Sequence, residues 1–477
     1  MNVILLDLLA VCAYLFGIAG ALHALFRKGN PRSALIWVCI CLFIPFFGAL
    51  IYLVFGVNRI QLVTQKWNSY GLYRFEASHA REATQHGFDL KNLSKEQQAL
   101  ALVGNKLLST KITAGCNITP LFDGTEAYPE MLAAINSARE RIYLSTYIFG
   151  SYGAGLEFIK ALGQAAQRGV DVKVLIDGVG SLYTRHSARK QLKKFGVDAR
   201  FFLPVTTNPK DLRYINLRSH VKIMVVDSSI GFTGGMNIHD DNSSKIDEVP
   251  KIHDLHFKVE GPIIRDLQDA FLRNWYFNNK QAKHEQLYYD DRSKGDMVTR
   301  AVNSGPYQEQ PVTQHLLIAT VNAAEQHVRI MTPYFIIDSA LGSALTQASL
   351  RGVAVELILP ESNNLSFVKG ATEALLPTLL NFGIKVYYRQ GHFAHTKLFI
   401  VDDVYVFLVS SNMDTRSFYL NFEFNLEVYN KALSNQLIAH FEQIKKLSTE
   451  ITCEWLQKQK FIIKLRNSIC KLFSPYL

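Results

Sequence analysis

His220-Val221-Lys222-Ile223-Met224-Val225-Val226-Asp227, followed after six residues by Gly234-Gly235-Met236-Asn237, decides how the chain is read. A β-strand turns alternate side chains to opposite faces, so it presents His220 and Lys222 together. The four residues between Lys222 and Asp227 are apolar, as a central strand buried on both faces requires. The same register returns near the C-terminus. There His395-Thr396-Lys397 runs through Leu398-Phe399-Ile400-Val401 to Asp402, and Val409-Ser410-Ser411-Asn412 follows. One such match is cheap in a chain of this length. Two matches on strand-like runs, each with Asn at one offset, are not accidental.

The text around the motifs repeats too. Arg168-Gly169-Val170 and Arg351-Gly352-Val353 lie 183 residues apart, and the motif histidines 175. Features recurring in one order at nearly one offset argue for a duplicated lobe. Residues 128–138 and 156–168 have helical spacing, and 141–149 and 172–176 read as strands. In the second copy, 327–331 and 384–388 read as strands, and 341–350 and 367–380 as helices. The expected fold class is therefore α/β, with two pseudo-symmetric lobes bringing both motifs to one cleft. Asp177-Gly178-Val179-Gly180 falls at a strand end where α/β proteins place ligand loops, although a simple turn explains it equally well.

At 477 residues, 48% hydrophobic and 19% charged, the chain is long and apolar enough for two or three packed domains and is not a disordered one. A net charge of +10 suits an anionic partner, either nucleic acid or an acidic lipid surface. The N-terminus decides for lipid. Residues 8–26 are almost wholly apolar, and 34–55 form an uncharged run. The basic turn Arg27-Lys28-Gly29-Asn30-Pro31-Arg32 stands between them. Each run is long enough to cross a hydrocarbon core of about 30 Å, so the expectation is a transmembrane helical hairpin. Arg27, Lys28 and Arg32 balance Arg59, Lys66 and Arg74, so positive charge does not choose a side. The expected boundaries are 1–60 for the hairpin, 61–115 for a juxtamembrane segment, and 116–290 and 291–430 for the lobes. Residues 431–477 then form a basic amphipathic helix that covers the lobes or lies on lipid. The six cysteines show neither metal-ligand spacing nor a disulfide framework.

The motifs fit phosphodiester chemistry. Lys222 and Lys397 offer point charges, and Asn237 and Asn412 donors, to the oxygens of one phosphate. One imidazole attacks phosphorus while another protonates the leaving oxygen, which requires no metal and no cofactor. Each histidine needs an acceptor on its other nitrogen. Asp254, in His253-Asp254-Leu255-His256, and Glu423, in Asn421-Phe422-Glu423-Phe424-Asn425, are the candidates. The catalytic motif set is thus His220, Lys222, Asp227, His395, Lys397 and Asp402. Within it, Asp227 and Asp402 are expected to anchor strand ends, while His239, His253, His256 and His392 are expected to be structural or rim residues.

These paired motifs resemble the phospholipase D superfamily, and most closely the bacterial cardiolipin synthases. The likeness extends to Asn30-Pro31, Tyr143 through Phe149, Asn216-Leu217-Arg218 and Asn237-Ile238-His239-Asp240. It continues through Thr332-Pro333-Tyr334-Phe335, Asn412-Met413-Asp414, Arg416-Ser417-Phe418 and the ending Leu472 to Leu477. It implies phospholipase D-like lobes at the bacterial inner membrane, held there by a multi-pass N-terminus. The reaction it implies moves a phosphatidyl group between two phosphatidylglycerols, giving cardiolipin and glycerol. His220 would then be the nucleophile, and His395 the acid and later the base. Phosphatidylglycerol and anionic lipid are the implied partners, and nucleic acid is not. A hydrolase or another phosphatidyltransferase of the superfamily would share every motif residue, and a non-catalytic lipid-binding relative would keep the fold. Val409 stands where the family has Gly, so crowding of a phosphate is expected there. Ile252 and Ser219 depart from the family's usual Trp and Asn or Asp.

Overall fold

Among the described residues, each half of the larger part of the chain contributes seven equivalent strands in one order, and the two sets meet at a seam. From its outer edge the first half runs Asp198–Phe202, Asp171–Asp177, Arg141–Thr146, Ile223–Val226, Ile230–Gly234, Leu255–Glu260 and Thr113–Phe122. The second runs Lys385–Arg389, Ala354–Pro360, His327–Met331, Leu398–Val401, Tyr405–Val409, Asn421–Tyr429 and Met297–Ser304. The innermost strands pair antiparallel, with Thr113 opposite Thr299 and Cys116 opposite Met297. Antiparallel pairing of equivalent strands is what a twofold axis through the seam generates. The α/β architecture of two pseudo-symmetric lobes follows.

This computed structural model describes residues 2–57, 88–184, 186–206, 208, 214–243, 251–277, 289–308 and 310–474. The chain divides into two units, Met1–Trp67 and Asn68–Leu477.

The first three of the strands named in each half run parallel and are crossed by helices. Gly153–Gln167 buries Phe158, Ile159 and Leu162, and Ser339–Leu350 buries Leu341 and Leu345. The repeated Arg-Gly-Val ends these helices. Gly169 and Gly352 both take φ +91°, the left-handed turn that glycine adopts without strain. Arg168 and Arg351 turn their guanidinium groups onto the carbonyls of Ile135 and Val321, at the ends of the neighbouring helices Asp123–Ser137 and Val312–Ala323. Each half thereby closes its own core.

Three expectations need correction. The C-terminal region is not one helix: after Lys431–Lys446, Ser448–Ile451 adds an antiparallel edge strand to Lys385–Arg389, and the short helix Cys453–Lys458 and Phe461–Leu472 follow. The β-branched cluster around Thr449 and Ile451 breaks the helical run. Residues 88–113 are not merely juxtamembrane. Helix Lys95–Leu107 belongs to the folded unit and buries Leu100 and Ala101 in the core of the second half.

Within Met1–Trp67, Asn2–Arg27 is one continuous helix, and its Asp7–Arg27 portion is long and apolar enough to cross a membrane. The second apolar run is instead two short helices, Pro31–Phe43 and Pro45–Ile51, so among the described residues it holds no single helix long enough to span. Proline lacks the N–H that would continue the ladder and drives the preceding residue out of helical geometry; Ile44 sits at φ −127°, ψ 66°. The flank carrying Arg59, Lys66 and Arg74 lies outside the described residues.

Candidate active site

Each histidine is reached from the opposite half. Arg218–Ser219 pairs in parallel with Asn421–Phe422, and the His220 amide donates to Phe422 O at 2.9 Å. The next residue, Glu423, is thereby set beside the imidazole. His220 Nδ1 lies 3.2 Å from Glu423 Oε2 and 3.0 Å from Ser410 O. The second site repeats the device. Phe393–Ala394 pairs with Ile252–His253, the His395 amide donates to His253 O at 2.7 Å, and Asp254 Oδ2 stands 2.7 Å from His395 Nδ1. A carbonyl oxygen only accepts, so Nδ1 of His220 carries the hydrogen and Nε2 the lone pair.

Further residues hold this frame that the sequence reading did not single out. Asp123, at the end of a strand, accepts from the Asp254 amide at 2.8 Å and lies 2.9 Å from His253 Nδ1. The Ser410 hydroxyl donates to Glu423 Oε2 at 2.6 Å. Tyr147 sets its ring edge-on to His220 at 5.4 Å. A serine beside the motif Asn, and a tyrosine in the strand-end run Tyr143 to Phe149, were the available signals.

Lys222 and Lys397 fold back to donate to the carbonyls of His220 and His395, at 2.9 and 2.8 Å. The Lys397 ammonium also lies 3.0 and 3.1 Å from the two ring nitrogens of His395. Burial lowers Lys222 to about 7 and Lys397 to about 8, against the pull of the nearby carboxylates. Burial, then the Lys397 charge, lowers His395 to about 4 although Asp254 opposes both. His220 moves the same way, through burial and Lys222 against Glu423. Burial favours the neutral acids, yet Lys397 and His395 hold Asp254 below the usual range, and His220 and Lys222 do so for Glu423. The consistent state is two ionised carboxylates, two neutral imidazoles and the positive charge on lysine.

A pH dependence follows. An anion binds best to the protonated lysines, so above their lowered pKa values binding must take up protons. For a soluble dialkyl phosphate, whose own charge stays constant, the inhibition constant should rise about tenfold per pH unit for each neutralised lysine above pH ~8. A constant independent of pH from 7 to 9.5 would sink this assignment.

Asp227 and Asp402 stand apart from this cluster. Each sits about 16 Å along its strand from the motif lysine. Asp227 accepts from the amides of Arg139, Glu140 and Arg141, and Asp402 from those of Glu325, Gln326 and His327. Both residues sit at φ near +50°, and although the motif puts them in the catalytic set, these bonds make them the strand-end anchors expected from the sequence. Asn237 is held by its oxygen, which accepts from Ile148 N at 3.2 Å, so its NH2 end is what it offers a ligand. Asn412 is buried, and its Oδ1 has no hydrogen-bond partner among the described residues.

The loop after Asp177 is a turn rather than a phosphate cradle, because its amides are taken. Asp177 Oδ1 accepts from Val179 and Gly180, and Oδ2 from Ser219. Of the remaining histidines, His239 pairs with Asp241, His253 with Asp123, His392 lies against His253, and His256 is buried.

Val409 does not crowd the cleft. Its side chain belongs to the core of the second half, with Met413 and Phe418. Gly234, its counterpart, is at φ +147°, and a Cβ there would press on His256. Val409→Gly is therefore expected to cost about 2–4 kcal/mol in denaturant unfolding without raising activity. A gain in activity would revive the crowding idea.

Comparison with known proteins places these residues in context. The family model described as cardiolipin synthase, PLD-like domain, matches residues 131–275 and 317–445, and a phospholipase D-nuclease N-terminal model matches 15–56. The chain is 31% identical to a cardiolipin synthase of Clostridium perfringens (strain 13), over 94% of this chain and 95% of that one. It is 29% identical to the major cardiolipin synthase of Bacillus subtilis (strain 168), over 97% and 98%. Among solved structures, a phosphatidylserine synthase of Haemophilus influenzae shares the fold, with TM-score 0.61 at 17% identity, covering 80% of this chain and 100% of that one.

Proposed function

Because the chain belongs to the cardiolipin synthase family of phospholipase D-like proteins, we propose that it forms cardiolipin through a covalent intermediate on His220. It is a membrane-associated phosphatidyltransferase, and phosphatidylglycerol is the substrate we assign. The observation that carries the mechanism is the reciprocal exchange of acids, Glu423 onto His220 and Asp254 onto His395.

The lipid phosphate lies between the histidines, its oxygens neutralised by Lys222 and Lys397 and met by Asn237 and Asn412. The His220 Nε2 lone pair forms the N–P bond, and the P–O bond to glycerol breaks. His395, which takes up a proton as the phosphate binds, gives it from Nε2 to the departing oxygen and is left neutral. Asp254 Oδ2, 2.7 Å from His395 Nδ1, stabilises the imidazolium once the Lys397 ammonium turns to the phosphate. A phosphate anion competes for the Lys397 ammonium and adds its own negative charge, and both effects raise the His395 pKa. In the second half-reaction a phosphatidylglycerol hydroxyl gives its proton to His395 and attacks phosphorus, and the N–P bond breaks. The two catalytic lobes are taken as 116–290 and 291–430. The setting we assign is the bacterial inner membrane. Both short helices after Pro31 are uncharged beyond Arg32 and pack on the first helix, which supports a return of the chain across the bilayer.

Product analysis tests the reading. Purified chain and phosphatidylglycerol in detergent should give cardiolipin and free glycerol. Phosphatidic acid with glycerol would make water the acceptor and the protein a hydrolase.

A further inference from the structure

The last helix, Phe461–Leu472, docks on Ser366–Glu373 by one side only. Asn467 donates to Glu373 at 2.7 Å, and Cys470 packs with Val368 and Ala371. The other side is bare. Phe461 is 78% exposed, Leu472 75% and Ile462 65%, with Leu465 and Ile469 also exposed. At 3.6 residues per turn these five fall on one stripe, and Lys464 and Lys471 lie along one edge of it and Arg466 along the other. From 455 to 474 the chain carries five basic residues and no acidic one. Leu365, Phe367 and Phe473 extend the patch, Phe367 meeting Phe473 at 5.6 Å. A contiguous apolar surface rimmed by one sign of charge is not the ordinary scatter of exposed side chains.

The patch adjoins the reaction site. Cys470, Val368 and Ile336 pack with Tyr334, whose ring lies 6.5 Å from Phe393, itself 5.7 Å from His395. The first half has a matching feature after its equivalent strand, Asp171–Asp177. Leu182 and Tyr183 are 68% and 66% exposed, and Tyr183 contacts Tyr147 beside His220.

We propose that the face of Phe461–Leu472, with these two loops, lies in the surface of an anionic phospholipid bilayer. The apolar stripe enters the acyl boundary, Lys464 and Lys471 reach the phosphates while Arg466 stays on Asn467 and Glu373, and the mouth of the cleft sits at headgroup depth. The bilayer is chosen over a second protein by charge, since a basic rim without acids suits a phosphate surface. That the seat admits lipid substrates rests on the function proposed above; the seat itself rests on the surface alone.

The test uses the full chain in vesicles of phosphatidylglycerol and phosphatidylcholine. With Ile469→p-benzoylphenylalanine, irradiation should give lipid adducts, about fivefold fewer when phosphatidylcholine is the sole lipid. Adducts to a second copy of the chain overturn the proposal. So does a yield no higher than that from the same replacement at exposed Lys194, and a yield indifferent to phosphatidylglycerol overturns the anionic preference. Phe461→Glu with Leu472→Glu should lower transfer from bilayer phosphatidylglycerol about tenfold and change turnover of a soluble short-chain analogue less than about twofold. Equal losses on both substrates, or none on either, reject the seat. Failure of the unaltered chain to make cardiolipin would instead reject the functional reading, and the crosslink would still decide the surface.

Discussion

The His395→Ala chain should lose transfer from phosphatidylglycerol by about 10²–10⁴-fold, yet still release p-nitrophenol from phosphatidyl-p-nitrophenol in a burst of one equivalent. Glycerol leaves as a poor alkoxide unless it is protonated, whereas nitrophenolate departs without help. The burst then stalls, because the second half-reaction needs His395 as base, and a phosphatidyl group on His220 should be recovered by mass. His220→Ala should release nothing from either substrate. The pairing of the histidines with different acids makes this asymmetry the sharpest test of their roles. A burst from the His220 variant and none from the His395 variant would exchange the assignments.

The largest effect on stability is expected far from the histidines. Arg300 and Glu427 are fully buried and paired, and Tyr405 and Tyr429 both donate to the carboxylate at 3.0 Å. Arg300 also donates to Ala101 O at 3.1 Å and Asn105 Oδ1 at 2.7 Å, tying helix Lys95–Leu107 to the second half. Arg300→Ala leaves Glu427 buried without its cation and should cost about 3–5 kcal/mol in urea unfolding. Hydrogen exchange should rise first over residues 95–107. Arg300→Leu with Glu427→Leu should recover part of the loss, because no lone charge remains, but not all, because two tyrosine hydroxyls lose their acceptor. A loss below 1 kcal/mol for the single change would mean that water reaches the carboxylate.

What was legible in the sequence was local and periodic. His220 and Lys222 share a face because a strand alternates, and the duplication showed as a constant offset. The Arg-Gly-Val repeat signalled a helix end, and both arginines and both glycines serve that end. Which acid faces which histidine was not legible, because it is set by two-residue pairings between segments about 140 to 200 positions apart. Val409 misled for a related reason. Whether a residue at a strand end points at the cleft or into the core depends on register, and Tyr405–Val409 turns it inward. Along residues 34–55 hydrophobic length favours one span, but Pro45 ends the helix at Phe43 and starts another. Asp123 carries no motif, and its importance comes from lying beside His253 and Asp254 in space.

The palindromic strand order also has a historical meaning. A protein consisting of one half alone, paired with its own copy about the same axis, would already hold two histidines, each facing the other copy's acid. In such a homodimer both positions must change together, because one gene encodes both. Joining the copies in one chain removes that constraint. Here one histidine has a glutamate supported by Ser410, while the other has an aspartate set against Gly235, where a side chain would strike the carboxylate. Fusion is what would allow one imidazole to specialise as donor of electrons and the other as donor of protons, the division of roles proposed above.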